Sequence, residues 1–124
     1  MPQNKIFVMA PMVYVNSVPR SLEFYTKLGF AARNTHQPEG VPEVVWAWLQ
    51  CNAAQFMVAK ASDPVDPKVQ GVLFYLYVPD VLQFREELIR KDLEPGDIQH
   101  PFYAPRGEFR LTDPDGYTLM ISHT

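Results

Sequence analysis

GEFRLTDPDGYTLMIS, residues 107–122, is the stretch that decides the fold of this 124-residue chain. The tetrapeptide DPDG at 113–116 favours a tight turn, because proline presets one backbone angle and glycine tolerates a positive one. Apolar and polar residues alternate on both sides of the turn, which is typical of strands whose sheet has two different faces. The stretch therefore predicts a hairpin with one face on a core and the other face available for another purpose.

The segments before this hairpin complete the second half of the chain. Residues 72–78 form an apolar run of strand length, and Asp80 is placed to cap a helix that follows it. Residues 94–106 contain three prolines and one glycine, which indicates a loop between the helix and the hairpin.

The first half shows the same order of elements. Residues 7–15 are predicted to form a strand, Asn16 or Ser17 to cap a helix, and Gly29 to end that helix. A polar loop with Pro38, Gly40 and Pro42 follows, and then strands at 43–50 and 54–60. Residues 61–70 are interpreted as the connector between the halves.

A repeat relates these two halves. The segment VNSV at 15–18 corresponds to VPDV 63 positions later, and the same offset relates Trp46 to Phe109 and Met57 to Met120. This register predicts two βαβββ copies, at about residues 5–60 and 71–124, within one domain of residues 1–124.

Composition limits the classes of partner. Hydrophobic residues make up 47% of the chain, and the net charge is −3 with scattered Lys and Arg, which argues against a nucleic-acid partner. No apolar run is long enough to cross a bilayer, and no secretory signal is visible at the N-terminus. Cys51 has no second cysteine to pair with, which favours the reducing cytoplasm.

PMVYVNSVPRSLEFYTKLGF at 11–30, together with the hairpin stretch at 107–122, resembles the glyoxalase, bleomycin-resistance and extradiol-dioxygenase superfamily, also called vicinal oxygen chelate proteins. The resemblance covers nearly the whole chain. It implies an α+β fold in which paired βαβββ modules form curled mixed sheets around a cavity, with the helices on the outer faces. It also implies a homodimer and a ligand bound on the concave side of the sheets.

Enzymes of this superfamily bind a metal through His, Gln or Glu at four positions, which the resemblance maps onto Ala10, Met57, Leu73 and Met120. Hydrocarbon and thioether side chains are poor ligands for the divalent ions that these enzymes use. We therefore expect neither a metal nor another cofactor. The bleomycin-resistance branch matches this pattern better than the glyoxalase branch.

Ten residues are the predicted ligand-binding residues. The methionines provide either an adaptable wall or ordinary core packing, and the tyrosines either stack on a planar ligand or cover a half-buried sheet face. The ten residues are Met12, Tyr14, Trp46, Trp48, Met57, Tyr75, Tyr77, Phe102, Arg110 and Met120.

The assignments of the tryptophans and of Arg110 also leave alternatives open. Trp46 and Trp48 line the cavity if Ala47 and Leu49 face the helix, whereas the 63-residue offset places both indoles in the core. Arg110 either binds an anionic ligand group or pairs with Glu108. Phe102 lies in a loop that, with Tyr103, is interpreted as a lid.

The sequence favours a cytoplasmic homodimer that sequesters an apolar or aromatic compound, as in antibiotic resistance, without transforming it. One alternative is a lyase- or dioxygenase-type enzyme of the same superfamily. It would use a displaced metal site built from Glu43, His100 or Glu108, or metal-free acid–base chemistry at Glu108 and Arg110. Another alternative is a structural protein whose concave face is closed by dimer contacts.

Overall fold

The computed structural model describes residues 4–124, which form two sheets and two α-helices. The first half contains β1 Met12–Val15, α1 Val18–Lys27, β2 Ala31–His36, β3 Trp46–Cys51 and β4 Ala54–Lys60. A one-turn 3-10 helix at Pro67–Val69 is followed by β5 Leu73–Val78, α2 Val81–Arg90, β6 Glu108–Thr112 and β7 Thr118–His123.

The strands form two separate mixed sheets. One sheet has the order β1-β4-β3-β2 and the other has the order β5-β7-β6. In each sheet the strand before the helix is parallel to the last strand, and the remaining pairs are antiparallel. The α+β class with two mixed sheets is therefore confirmed.

Both helices begin where the sequence predicts them. The side chain of Ser17 accepts a hydrogen bond from Arg20 N at 3.2 Å, and that of Asp80 accepts one from Gln83 N at 3.0 Å. Each side chain satisfies one of the amide groups that the first helical turn leaves without an intrahelical partner. Gly29 follows α1 with a φ of +107°, which fits a glycine that ends a helix.

Two strands differ from the prediction. The first strand begins at Met12 instead of residue 7. Just before it, the carbonyl oxygen of Pro11 accepts a hydrogen bond from Met57 N. Proline has no amide hydrogen to donate to a strand ladder, which explains a strand that starts after it.

Strand β2 lies within a segment predicted as loop, and all six of its residues are exposed. An exposed edge strand needs no apolar alternation, so periodicity does not detect it.

The second half has one strand fewer than the predicted βαβββ copy. Between α2 and β6 the chain makes only an isolated bridge, in which Gln99 pairs with Glu108. Gly96 N also donates to Arg110 O at 2.8 Å, so residues 96–99 lie beside β6. The place of the missing strand is thus taken by a loop that folds along the sheet edge.

Side chains from both halves build one core. The rings of Tyr25 and Phe56 lie 4.8 Å apart, those of Phe56 and Phe74 6.4 Å, and those of Phe74 and Tyr117 6.1 Å, which links α1, β4, β5 and the final hairpin. Aromatic contacts of this edge-on or tilted kind add to the apolar area that they bury. The buried aliphatic residues around them include Val15, Val58, Leu88, Leu119 and Ile121.

The DPDG turn forms as predicted, but its carboxylates are buried and connect the hairpin to the first half. Asp113 accepts a hydrogen bond from the Tyr25 hydroxyl at 2.6 Å, and Asp115 accepts one from Asn16 N at 2.8 Å. Burial raises the pKa of Asp113 above its usual value, and it raises the pKa of Tyr25 as well, with Asp113 adding to the effect. The turn therefore fixes the hairpin against helix α1.

Neither helix within residues 4–124 combines the length and the apolar character that a membrane span requires.

Candidate functional site

The open face of the four-stranded sheet carries five of the predicted ligand-binding residues. Met12 pairs with Met57, and Met57 pairs with Trp48, so these three lie in one row across β1, β4 and β3. Tyr14 and Trp46 occupy the next row on either side of Ala59. Met12 and Tyr14 are 44% and 54% exposed, so this face offers thioether and aromatic surface to a ligand or a partner.

Both tryptophans lie on this open face. Ala47 and Leu49, which alternate with them, are fully buried, whereas Trp46 and Trp48 are half-buried. Trp48 Nε1 donates to Gln55 Oε1 at 3.2 Å. The offset of 63 fails in this strand because the last hairpin has a longer loop. In the final hairpin, Thr112 pairs with Thr118 across five turn residues, whereas Cys51 pairs with Ala54 across only two residues between β3 and β4.

The open face of the three-stranded sheet carries Tyr75, Tyr77, Arg110 and Met120. Tyr75 pairs with Met120, which pairs with Arg110 on the other side. The rings of Tyr75 and Tyr77 stack with centroids 6.3 Å apart, and they are 41% and 61% exposed. These residues present a flat aromatic surface beside one cationic group.

A cavity of about 750 Å³ lies over this second face. Its floor includes Tyr75, Arg110 and Met120, and the loop at 94–106 forms its wall through His100 and Tyr103. A smaller cavity of about 330 Å³ is lined by apolar residues such as Phe56 and Phe74, and it shares Leu73 and Tyr75 with the larger one. Such volumes are in the range of small-molecule pockets.

Within the loop at 94–106, Tyr103 contacts the larger cavity and Phe102 does not. Phe102 is 95% exposed, although its ring lies edge-on to that of Tyr103 at 5.4 Å. Ligand contact by Phe102 therefore stays a prediction that needs the loop to move.

Glu108 is the residue whose environment the sequence did not reveal. Its side chain is buried, and Oε2 accepts a hydrogen bond from the Tyr103 hydroxyl at 3.0 Å. Hydrogen bonds to Glu108 and then to Tyr75 raise the pKa of Tyr103 to about 12, so this hydroxyl stays protonated at neutral pH. Among the described residues Arg110 makes no ion pair with Glu108, so the predicted Arg110–Glu108 pair is not formed.

The four positions onto which the resemblance maps a metal site do not fit a metal ion here. Met57 lies in β4 and Met120 in β7, Leu73 starts β5, and Ala10 precedes β1. None of these side chains offers an oxygen or an imidazole nitrogen. Within residues 4–124 no three His, Cys, Asp or Glu side chains lie close enough to share an ion, so Glu43, His100 and Glu108 do not form the displaced site either.

Comparison with known proteins gives one family and a set of similar folds. The sequence profile of the family described as "Glyoxalase/Bleomycin resistance protein/Dioxygenase superfamily" matches residues 7–121. No curated protein matches the sequence significantly.

Solved structures with the same fold include proteins of different activity. A bleomycin-binding protein complexed with bleomycin superimposes with a TM-score of 0.75 at 16% identity, covering 96% of this chain and 99% of that one. The genomically encoded fosfomycin resistance protein FosX from Listeria monocytogenes gives 0.71 at 7% identity, with 97% and 94% covered. Lactoylglutathione lyase from Agrobacterium tumefaciens gives 0.66 at 13% identity, with 98% and 96% covered. The TM-scores establish a shared fold.

Proposed function

Because the chain belongs to the glyoxalase/bleomycin resistance protein/dioxygenase superfamily, we propose that it binds and sequesters an apolar or aromatic small molecule. The observation that carries this proposal is the chemistry of the two open faces, which expose Met12, Tyr14, Tyr75 and Tyr77 to solvent. Covering such surface with a planar ligand is favourable at roughly 25 cal/mol per Å² of apolar area removed from water. The unsuitable donor set at the four metal positions supports binding over metal-dependent turnover.

We propose that the functional unit is a cytoplasmic homodimer. Strands β1 and β5 each have a free edge, and the segment before β1 exposes Phe7 by 95% and Met9 by 82%. Free strand edges and exposed apolar segments are normally covered in soluble proteins. A second copy of the chain would cover this region and place the open face of one sheet near that of another.

The dimer can be tested by light scattering coupled to size-exclusion chromatography. We expect twice the mass of the chain for the wild type, and a shift towards one chain for Phe7→Asp, because a charge at this position opposes burial in an interface. Leu82→Asp is the matched control, since Leu82 is an exposed apolar residue on α2. A monomeric wild type, or a Phe7→Asp variant that stays dimeric, would contradict this part of the proposal.

Ligand binding can be tested by thermal shift, since a ligand that binds only the folded state raises the Tm. We expect planar aromatic compounds, with bleomycin included in the panel, to raise the Tm. Tyr75→Ala should weaken the strongest of them by about tenfold or more, because Tyr75 lines both cavities. Leu82→Ala should bind as the wild type does. A response to nickel, zinc or manganese salts with none to organic compounds would refute the proposal.

A second candidate function is metal-free catalysis. The observation that favours it is the buried Glu108 carboxylate, which is bonded to Tyr103 in a cavity that His100 and Arg110 also line. Groups of this kind transfer protons in many enzymes. A lactoylglutathione lyase assay, run with and without added nickel, separates the two candidates: turnover without nickel would favour the metal-free enzyme, whereas ligand binding without turnover favours sequestration.

A further inference from the structure

One oxygen of the Glu108 carboxylate has no hydrogen-bond partner. Glu108 is 4% exposed and lines the larger cavity. Its Oε2 is bonded to Tyr103, but no donor among the described residues reaches the buried Oε1. A buried carboxylate oxygen without a donor is unfavourable, so such atoms in folded proteins normally have a partner.

The neighbouring protein groups do not supply that donor. The Tyr103 hydroxyl has one proton, and it already points to Oε2. Arg110, two residues further along β6, is exposed and makes no ion pair with Glu108. Arg85 is engaged elsewhere, with Asp97 and with the Gly96 carbonyl. Among the described residues, Glu108 Oε1 is therefore an acceptor without a donor, on a side chain that lines the larger cavity.

We propose that the ligand of this cavity carries a protonated amine that donates an N–H to Glu108 Oε1. This inference rests on the proposed function and narrows it to aromatic compounds with an ammonium group. A charge-assisted N–H···O bond is stronger than a neutral one. Tyr75 and Tyr103 line the same cavity with aromatic rings, a group that attracts cations, and Leu73 and Met120 add apolar lining for the body of the ligand.

Three probes of similar shape test the chemistry of this contact by NMR titration. 2-Naphthylmethylamine carries a cationic N–H donor, 2-naphthylmethanol a neutral donor, and trimethyl(2-naphthylmethyl)ammonium a cation without any N–H. We expect the amine to bind about tenfold to a hundredfold more tightly than the alcohol, which corresponds to one hydrogen bond to a charged group. The quaternary salt should also bind less tightly than the amine, because it cannot donate to Oε1.

A variant pair locates the effect at Glu108. Glu108→Gln should bring the affinity for the amine down to that for the alcohol, whereas the same change at the exposed Glu86 of α2 should preserve the preference. If Glu108→Gln does not fold, the wild type still provides a readout. The amine, more than the alcohol, should shift the amide signals of Gly96, Gln99 and Arg110, since residues 96–99 bond to β6 around Glu108.

Each outcome of these titrations either supports or overturns the inference. A preference for the amine that depends on Glu108, with amide shifts beside β6, supports it. Equal binding of amine and alcohol, or a preference that survives Glu108→Gln, overturns the inference but leaves the proposed aromatic site standing. Absence of binding by all three naphthalene probes overturns the inference together with the proposed function.

Discussion

Asp113→Ala is expected to lower the free energy of unfolding by about 3–5 kcal/mol, because three buried donors would lose one shared acceptor. Asp113 Oδ2 accepts from the Tyr25 hydroxyl at 2.6 Å, and Oδ1 accepts from the amides of Asp115 and Tyr117 at 2.9 Å each. The alanine side chain cannot replace any of these bonds, and the site is closed to solvent. Urea denaturation at a fixed protein concentration measures the loss.

The matched control for this prediction is Asp80→Ala. Asp80 is also an aspartate that accepts a backbone amide, but it is exposed and accepts a single bond, from Gln83 N at the start of α2. Loss of a helix cap of this kind costs about 1 kcal/mol. A loss at Asp113 no larger than the loss at Asp80 would show that the buried cluster contributes little to the coupling of the two halves.

Gly116→Ala is expected to lower the free energy of unfolding by about 2–4 kcal/mol through backbone strain and overpacking. Gly116 has a φ of +88°, and a Cβ atom there would overlap the Cβ of Pro67 and lie 2.7 Å from its Cα. Pro67 belongs to the connector between the halves, so its backbone would have to move away from the hairpin. The same urea denaturation provides the measurement.

Gly40→Ala separates the two contributions to this effect. Gly40 has a similar φ of +80°, but within residues 4–124 no heavy atom beyond its own chain neighbours lies within 4 Å of the position of its Cβ. This variant should therefore show only the strain of a left-handed residue, roughly 1–2 kcal/mol. If Gly116→Ala were no more destabilising than Gly40→Ala, close packing between the hairpin and the connector would not be a source of stability.

The final hairpin thus contributes to stability through its turn and inner face, and to the candidate binding site through its outer face. Its turn and its inner face hold the halves together through Asp113, Asp115, Leu119 and Ile121, all of which are buried. Its outer face contributes to the larger cavity, with Glu108 and Arg110 from β6 and Met120 from β7. Variants of the turn are therefore tests of stability, and variants of the outer face are tests of binding.

The sequence alone determined which side chains of a predicted strand share a face, because side chains alternate with a two-residue period. It placed Trp46 and Trp48 opposite Ala47 and Leu49 but did not decide which pair is buried. The structure decided this, with Ala47 and Leu49 in the core. The sequence also predicted Asp80 as one helix cap and either Asn16 or Ser17 as the other, since a cap depends on its own residue and the next three, and the structure has Ser17. Strand β2 was not predicted because its six residues are all exposed and show no apolar alternation.

Only the tertiary structure decided which charged groups are buried and what they contact. Each of the two turn carboxylates accepts a hydrogen bond from a distant donor, Tyr25 at 88 residues from Asp113 and Asn16 at 99 residues from Asp115. Glu108 looked like an ordinary residue of an open face until the loop at 94–106 placed Tyr103 against it. Periodicity reports the local direction of a side chain, whereas its burial and its charge environment depend on distant segments that no local pattern specifies.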